Sequence, residues 1–125
     1  MANNEQPKYG NGKICYLEIP SRDIDESSSF YHTVFDWKVR RRDDGTSGFD
    51  DGVNEVSGTW RTDRIPTPGI GILIHIMVDD IEVTIQKIIE LGGMIVQPVG
   101  RDAPEITAWF QDLSGNVLGL YQHRG

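Results

Sequence analysis

The chain is short of cysteine, of cations and of long apolar runs, and each scarcity removes a class of function. Its one thiol, Cys15, cannot close an internal disulfide or build a cysteine-ligated zinc site, and it suits a reducing compartment. No apolar stretch approaches the roughly 20 residues of a membrane span, so no membrane partner is expected. Residues 1–12 are polar and lack the apolar core of a signal peptide, which makes a cytoplasmic location the expectation. Twelve Lys and Arg stand against nineteen Asp and Glu, for a net charge of −7. That balance disfavours nucleic acid as a partner, because phosphate-backbone binding rests on clustered cations. One local basic run, residues 40–42, reads either as an exposed strand end or as an anion-binding rim.

What is present is an ordinary globular composition, 38% hydrophobic and 25% charged over 125 residues. A chain of this length can bury roughly two-thirds of its unfolded surface and needs no covalent staple. Within it lies a repeat. Residues 14–39 align without gaps on residues 71–96, at a constant shift of 57. Ile19 falls on Ile76, Asp23 on Asp80, Ile24 on Ile81 and Val39 on Val96. The identities are few, but both copies follow one pattern: apolar strand, acidic helix start, amphipathic helix, second strand. A fixed-period repeat constrains the architecture before any single residue does.

The patterning predicts a loose tail over residues 1–11, a first module over 12–64 and a second over 65–125. In the first, residues 13–19 alternate as a strand, with Cys15, Leu17 and Ile19 on the helix-facing side, so Cys15 is expected to be buried. Residues 22–36 form a helix with Ile24, Ser28, Tyr31 and Phe35 on one face, opened by Asp23 and Glu26 in capping-box spacing. Strands follow at 37–42, 47–50 and 55–61, with Asp44-Gly45 and Asp51-Gly52 as turns. Residues 62–69, with two prolines and a glycine, connect the halves. The second module repeats the order: a strand at 70–78, a helix at 79–91 and strands at 94–99, 105–111 and 117–122. Ile81, Ile85, Ile88 and Ile89 are expected on the buried face of its helix, and Gly92-Gly93 ends it. His32 and His123 read as surface residues.

These motifs resemble the vicinal-oxygen-chelate superfamily, the fold of glyoxalase I, bleomycin- and fosfomycin-resistance proteins and extradiol dioxygenases. The resemblance rests on Tyr-Leu-Glu-Ile-Pro at 16–20 before the Asp23-Ile24 helix start and on Phe30-Tyr31 within that helix. It rests also on Val-Asp-Asp-Ile at 78–81, Leu-Gly-Gly at 91–93 and Asp-Leu-Ser-Gly-Asn at 112–116 leading into Val117-Leu118-Gly119-Leu120. Leu113 stands where the family usually has proline. The likeness covers residues 12–123 and is nearest to the small glyoxalase-like, bleomycin-resistance-like members. It implies an α+β fold of two βαβββ modules, with U-shaped mixed sheets around a central cavity and helices outside. It also implies a homodimer.

Metal-dependent members resembling this chain hold their ion from the first and last strands of each half. Counted from the helix-starting aspartates and across the repeat, those positions fall on Tyr16, Gly58, Leu73 and Gly119. Glycine and leucine side chains offer no donor and neutral tyrosine a poor one, so no metal and no other cofactor is expected. Glu18 and His75 are repeat mates two residues beyond Tyr16 and Leu73, and each points the same way as its neighbour. They read as a buried polar pair, as acid–base or substrate-binding residues, or as a two-point metal grip. A buried carboxylate demands a partner, and His75 or an arginine is the candidate for Glu18. Alternation adds Thr107, Trp109, Gln111, Tyr121 and Trp60 to the same lining, where the two glycines open space beside the rings.

The expected function is therefore a glyoxalase/bleomycin-resistance-like protein that binds a small organic molecule in an aromatic cavity without the usual metal. The alternatives are a glyoxalase-like lyase or isomerase working through Glu18 and His75, and a dimeric interaction subunit whose cavity has closed.

Overall fold

The computed structural model describes residues 7–11, 13–66 and 72–124. The start of the tail (residues 1–6), the end of the connector (residues 67–69) and the predicted strand start at Ile70 and Gly71 lie outside the described residues. The chain forms two compact units, Met1–Ile65 and Pro66–Gly125.

The first unit runs β1 (Tyr16–Pro20), α1 (Ile24–Phe35), β2 (Lys38–Arg41), β3 (Ser47–Asp50) and β4 (Ser57–Arg61). The second runs β5 (His75–Val78), α2 (Ile81–Glu90), β6 (Met94–Gln97), β7 (Ile106–Gln111) and β8 (Val117–Gln122). Each unit is βαβββ, and together they make an α+β protein. The sheet orders are identical, β1-β4-β3-β2 and β5-β8-β7-β6. In both, the first strand pairs parallel with the last and the other pairings are antiparallel. The repeat seen in the sequence is thus a repeat of topology.

The helix starts explain the anchoring residues of that repeat. Asp23 is extended and accepts from the Glu26 N–H, while Asp80 does the same for Glu82 and Val83. A side-chain oxygen there satisfies amides that have no partner within the helix. Glu26 does not complete a capping box, because its carboxylate is held by Arg22. Asp36 ends α1 in the left-handed region, at φ 61°, and Gly92 follows α2 at φ 97°.

The two cores differ in chemistry. In the first unit α1 buries Phe30, Tyr31 and Val34 against Ile19, Trp37, Phe49 and Trp60. Ring centroids lie 4.8 Å apart for Tyr31 and Trp37, 4.5 Å for Trp37 and Phe49, and 4.8 Å for Phe49 and Trp60. In the second unit the core is mainly aliphatic: Ile81, Ile88, Leu118, Leu120 and Ala108, with Phe110. The buried face of α2 is Ile81, Thr84 and Ile88. Ile85 is half-buried and Ile89 exposed, so the expected four-isoleucine face is narrower than its sequence pattern.

Two further expectations fail. Cys15 is exposed. β1 begins one residue later, so Cys15 lies outside the segment that α1 covers, although its carbonyl accepts from the Ser57 N–H. Trp60 is only 1% exposed and packs on Phe49 and Tyr31. It belongs to the helix-facing core and not to the opposite face. No helix among the described residues is long and apolar enough to cross a membrane.

Candidate functional site

In each unit the sheet face away from the helix collects the polar and partly exposed side chains. β1 turns Leu17 and Ile19 toward α1 and leaves Tyr16 and Glu18 on the other side. β4 buries Gly58 and Trp60 and leaves Thr59 and Arg61 beside Glu18. The pairing is Leu17 with Gly58, Glu18 with Thr59, and Ile19 with Trp60. In the second unit Ala108, Phe110, Leu118 and Leu120 are buried. Thr107, Trp109 and Gln111 on β7, and Gly119 and Tyr121 on β8, alternate to the face that also carries His75 and Met77 of β5.

This register corrects the alignment of the two last strands. Gly119 pairs with His75, and His75 is the repeat mate of Glu18. Glu18 pairs with Thr59. The mate of Gly119 is therefore Thr59 and not Gly58, and the mate of Tyr121 is Arg61 and not Trp60. The offset comes from loops of different length between the middle strands, which a gap-free overlay of the first two elements cannot register.

Nor do the glycines leave open space. A Cβ at Gly58 would clash with both the Leu17 carbonyl oxygen and the Phe49 ring. One at Gly119 would lie 2.5 Å from the His75 ring. Phe49 fills the first position from the core side, and the His75 imidazole covers the second.

The donor set can now be tested against a metal. With the register corrected, the first- and last-strand positions hold Tyr16 and Thr59 in one unit and Leu73 and Gly119 in the other. Leu73 is half-buried and precedes β5. The Thr59 hydroxyl donates to the Ser47 carbonyl at 2.9 Å. Among the described residues no three His, Cys, Asp or Glu side chains gather as a metal would require. A divalent metal wants three or four N, O or S donors, and these positions do not supply them.

Glu18 is partly exposed and takes arginine partners. Its carboxylate lies 2.7 Å from Arg64 Nη2 and 3.6 Å from Arg61 Nη1. Arg61 also binds Asp63, at 3.0 Å through Nε and 2.6 Å through Nη2. The hydrogen bond from Arg61 holds the Asp63 carboxyl below its usual range and, reciprocally, strengthens the protonation of Arg61. The open cleft around these groups holds about 520 Å³, and its lining includes Tyr16, Glu18, Arg42, Thr46, Thr59 and Arg61 together with Asp44 and Asp63.

The corresponding groove of the second unit holds about 560 Å³ and is lined by His75, Met77, Asp102, Glu105, Thr107 and Tyr121. Thr107 donates to Asp102 at 2.6 Å, and Glu105 meets Arg124 at 3.6 Å. Trp109 and Gln111, half-buried, continue the same strand face. Asp102 and Glu105 had no signal in the sequence as lining residues, since both precede β7 in a turn. Thr46 was likewise missed, and Arg42 was legible only as part of the basic run at residues 40–42, because the turn that brings them over β3 is a local tertiary feature.

The sequence profile of the Glyoxalase/Bleomycin resistance protein/Dioxygenase superfamily matches residues 13–120. The chain belongs to this superfamily. A glyoxylase-like domain-containing protein from Didymella fabae is 26% identical over 126 residues, covering 92% of this chain and 97% of that one. A glyoxalase/bleomycin resistance protein/dioxygenase family enzyme from Burkholderia phytofirmans PsJN superposes with a TM-score of 0.71 at 21% identity, covering 86% of this chain and 95% of its own. The fosfomycin resistance protein FosX from Listeria monocytogenes, in complex with Mn(II) and sulfate, superposes with a TM-score of 0.74 at 11% identity, covering 91% of each chain. The structural likenesses establish the glyoxalase fold, and the chemistry rests on this member's own residues.

Proposed function

We propose that this superfamily member binds a small organic molecule by stacking and hydrogen bonding on the sheet face of its second unit, without the metal used elsewhere in the superfamily. One observation carries the reading. The groove sets the Tyr121 phenol, the Met77 thioether and the His75 imidazole beside Thr107, Asp102 and Glu105, and the half-buried Trp109 indole continues the same strand face, while the inherited ligand positions supply too few donors for a metal. A volume of about 560 Å³ falls in the range of small-molecule sites, roughly 300–1,000 Å³. Trp109 and Tyr121 offer ring faces, and Thr107 and Gln111 offer polar groups that fix orientation.

The acid–base alternative draws no support from Glu18. Its oxygens are occupied by two guanidinium partners, so they are poorly placed to accept a substrate proton. If catalysis did run through it, Glu18→Gln would abolish turnover.

The chain's own fluorescence tests the binding reading. Trp37 and Trp60 are 4% and 1% exposed, which leaves Trp109 as the tryptophan that a ligand can reach. A panel of planar metabolites is expected to contain compounds that quench emission saturably. Calorimetry on Trp109→Ala should then show about tenfold weaker binding, the scale of one lost aromatic contact. Absence of quenching across the panel would refute the reading and favour an interaction subunit.

A further inference from the structure

The basic run at residues 40–42 does not act as a unit. Arg40 and Arg41 are spent on carboxylates. Arg40 makes a two-point contact with Asp50, 3.1 Å through each of Nε and Nη2, and Arg41 reaches across to Asp25 on α1. Arg22, Arg61 and Arg64 also hold carboxylates. Arg42 is different: among the described residues it has no carboxylate within ion-pair distance, and its partners are two threonine hydroxyls.

Those hydroxyls fix the guanidinium in one pose. Arg42 Nη1 donates to Thr46 Oγ1 at 3.1 Å and to Thr59 Oγ1 at 3.2 Å. Both hydroxyls use their own proton elsewhere, Thr46 on the Asp44 carboxylate at 2.6 Å and Thr59 on the Ser47 carbonyl at 2.9 Å. Each can therefore only accept from the arginine. The backbone below is tied as well, by Arg42 N–H to the Thr46 carbonyl at 2.9 Å and Gly45 N–H to the Arg42 carbonyl at 3.2 Å. Gly48 supplies the bed. A Cβ there would lie 2.6 Å from Arg42 Nη2, so only glycine lets the guanidinium rest on the sheet. By register Gly48 is the counterpart of Trp109: each pairs with the last-strand residue opposite Glu18 or His75.

Both Nη1 hydrogens are thereby used, and no acceptor among the described residues meets Nε or Nη2. These two atoms form the side-on fork that matches the two oxygens of a carboxylate. The fork lies in the cleft beside Tyr16, Thr59 and Arg61. We propose that Arg42, held by Thr46 and Thr59 over Gly48, is a preorganised receptor for the carboxylate of a small organic acid on the first unit. The surrounding charge argues for a monoanion. Glu18 and Asp63 are neutralised by Arg61 and Arg64, and Asp44 is tied to the Thr46 amide and hydroxyl. A phosphate dianion would bring a second negative charge for which the cleft has no further unpaired guanidinium among the described residues. The site is separate from the groove of the second unit and does not depend on the Trp109 reading.

Side-chain Nε–H signals of the ¹⁵N-labelled protein test the proposal, with the Arg42 signal identified by its loss in Arg42→Gln. Sodium acetate is titrated against sodium chloride at equal ionic strength. The Arg42 signal is expected to move saturably with acetate and not with chloride, while Arg22 and Arg40 stay still. Saturation transfer from protein to the acetate methyl should fall several-fold in Thr59→Val and vanish in Arg42→Gln. It should vanish also in Arg42→Lys, which keeps the charge and loses the fork. Inorganic phosphate should bind more weakly than acetate. Equal response to acetate and chloride would overturn the site, and so would undiminished acetate binding in Arg42→Lys or tighter binding of phosphate. Trp109→Ala leaves these signals unchanged, so failure of either reading is visible without the other.

Discussion

Exchanging Trp60 and Trp109 for alanine, one at a time, separates the two faces of the sheets. Trp60 is 1% exposed, with its ring centroid 4.8 Å from Phe49 and 6.0 Å from Tyr31. Removing such a side chain loses the transfer free energy of roughly 150–250 Å² of ring surface and leaves a cavity, for about 3–5 kcal/mol. At roughly 3–5 °C per kcal/mol for a chain of this size, the midpoint should fall by roughly 10–20 °C. Trp60→Phe should cost about 1 kcal/mol. It keeps most of the packing and also removes a buried indole N–H that has no hydrogen-bond partner among the described residues. Trp109 is half-buried on the face without a helix, so Trp109→Ala should cost about 1 kcal/mol or less while weakening ligand binding. Urea unfolding followed by far-UV circular dichroism gives the stabilities. The assignment of faces is refuted if Trp109→Ala destabilises as much as Trp60→Ala. It is refuted equally if Trp60→Ala leaves stability intact and removes ligand quenching.

Further outcomes follow from individual contacts. Asp23→Ala and Asp80→Ala should each lower stability by about 1 kcal/mol, the usual cost of losing an N-cap acceptor, measured by the same unfolding curves. Gly58→Ala should destabilise by at least about 1–3 kcal/mol, because its Cβ would press into the Leu17 carbonyl and the Phe49 ring. Desolvation raises the Asp50 carboxyl, but hydrogen bonds from Arg40 and Ser57 outweigh it, and the group titrates below its ordinary 3.8. A depressed folded-state value means that the stabilisation is complete above the ordinary value and is lost as pH falls below it through the folded value. Asp50→Asn should flatten this part of the acid-unfolding profile and leave stability near neutral pH less dependent on Arg40. Metal analysis of protein purified without chelator should find no stoichiometric Ni, Zn, Mn or Fe, and EDTA should not shift the unfolding midpoint; a bound equivalent would overturn the donor-set argument.

Much of the fold was legible because its signals are local. The Asp23 cap and the turn glycines each act within a few residues, and Ser47–Asp50 and Val117–Gln122 emerge at their expected bounds; the cap of α2 is Asp80 and not its neighbour Asp79, which the sequence pattern pairs with Glu82. Helix limits and the strand before His75 were less legible, since they depend on which neighbours pair. On the site, the facing of Thr107, Trp109, Gln111 and Tyr121 follows from alternation beside buried Ala108, Phe110 and Leu120. Trp60 was misplaced because period-2 alternation defines two faces without saying which one the helix covers. On β4 the deciding fact is that Gly58 leaves room for Phe49, and that contact joins two strands.

The sequence by itself determined the duplication and the βαβββ order. These depend on residue identity and short-range spacing, which tertiary contacts do not alter. Only the tertiary structure decided the register between first and last strands, and with it that Thr59, not Gly58, is the mate of Gly119. Only it showed Glu18 held by Arg61 and Arg64, and Arg42 lying on Gly48 with its fork free. Those outcomes turn on which side chain fills the space beside a glycine and which acid reaches an arginine first. Both are set by strand pairing between segments distant in the chain, which no local pattern records.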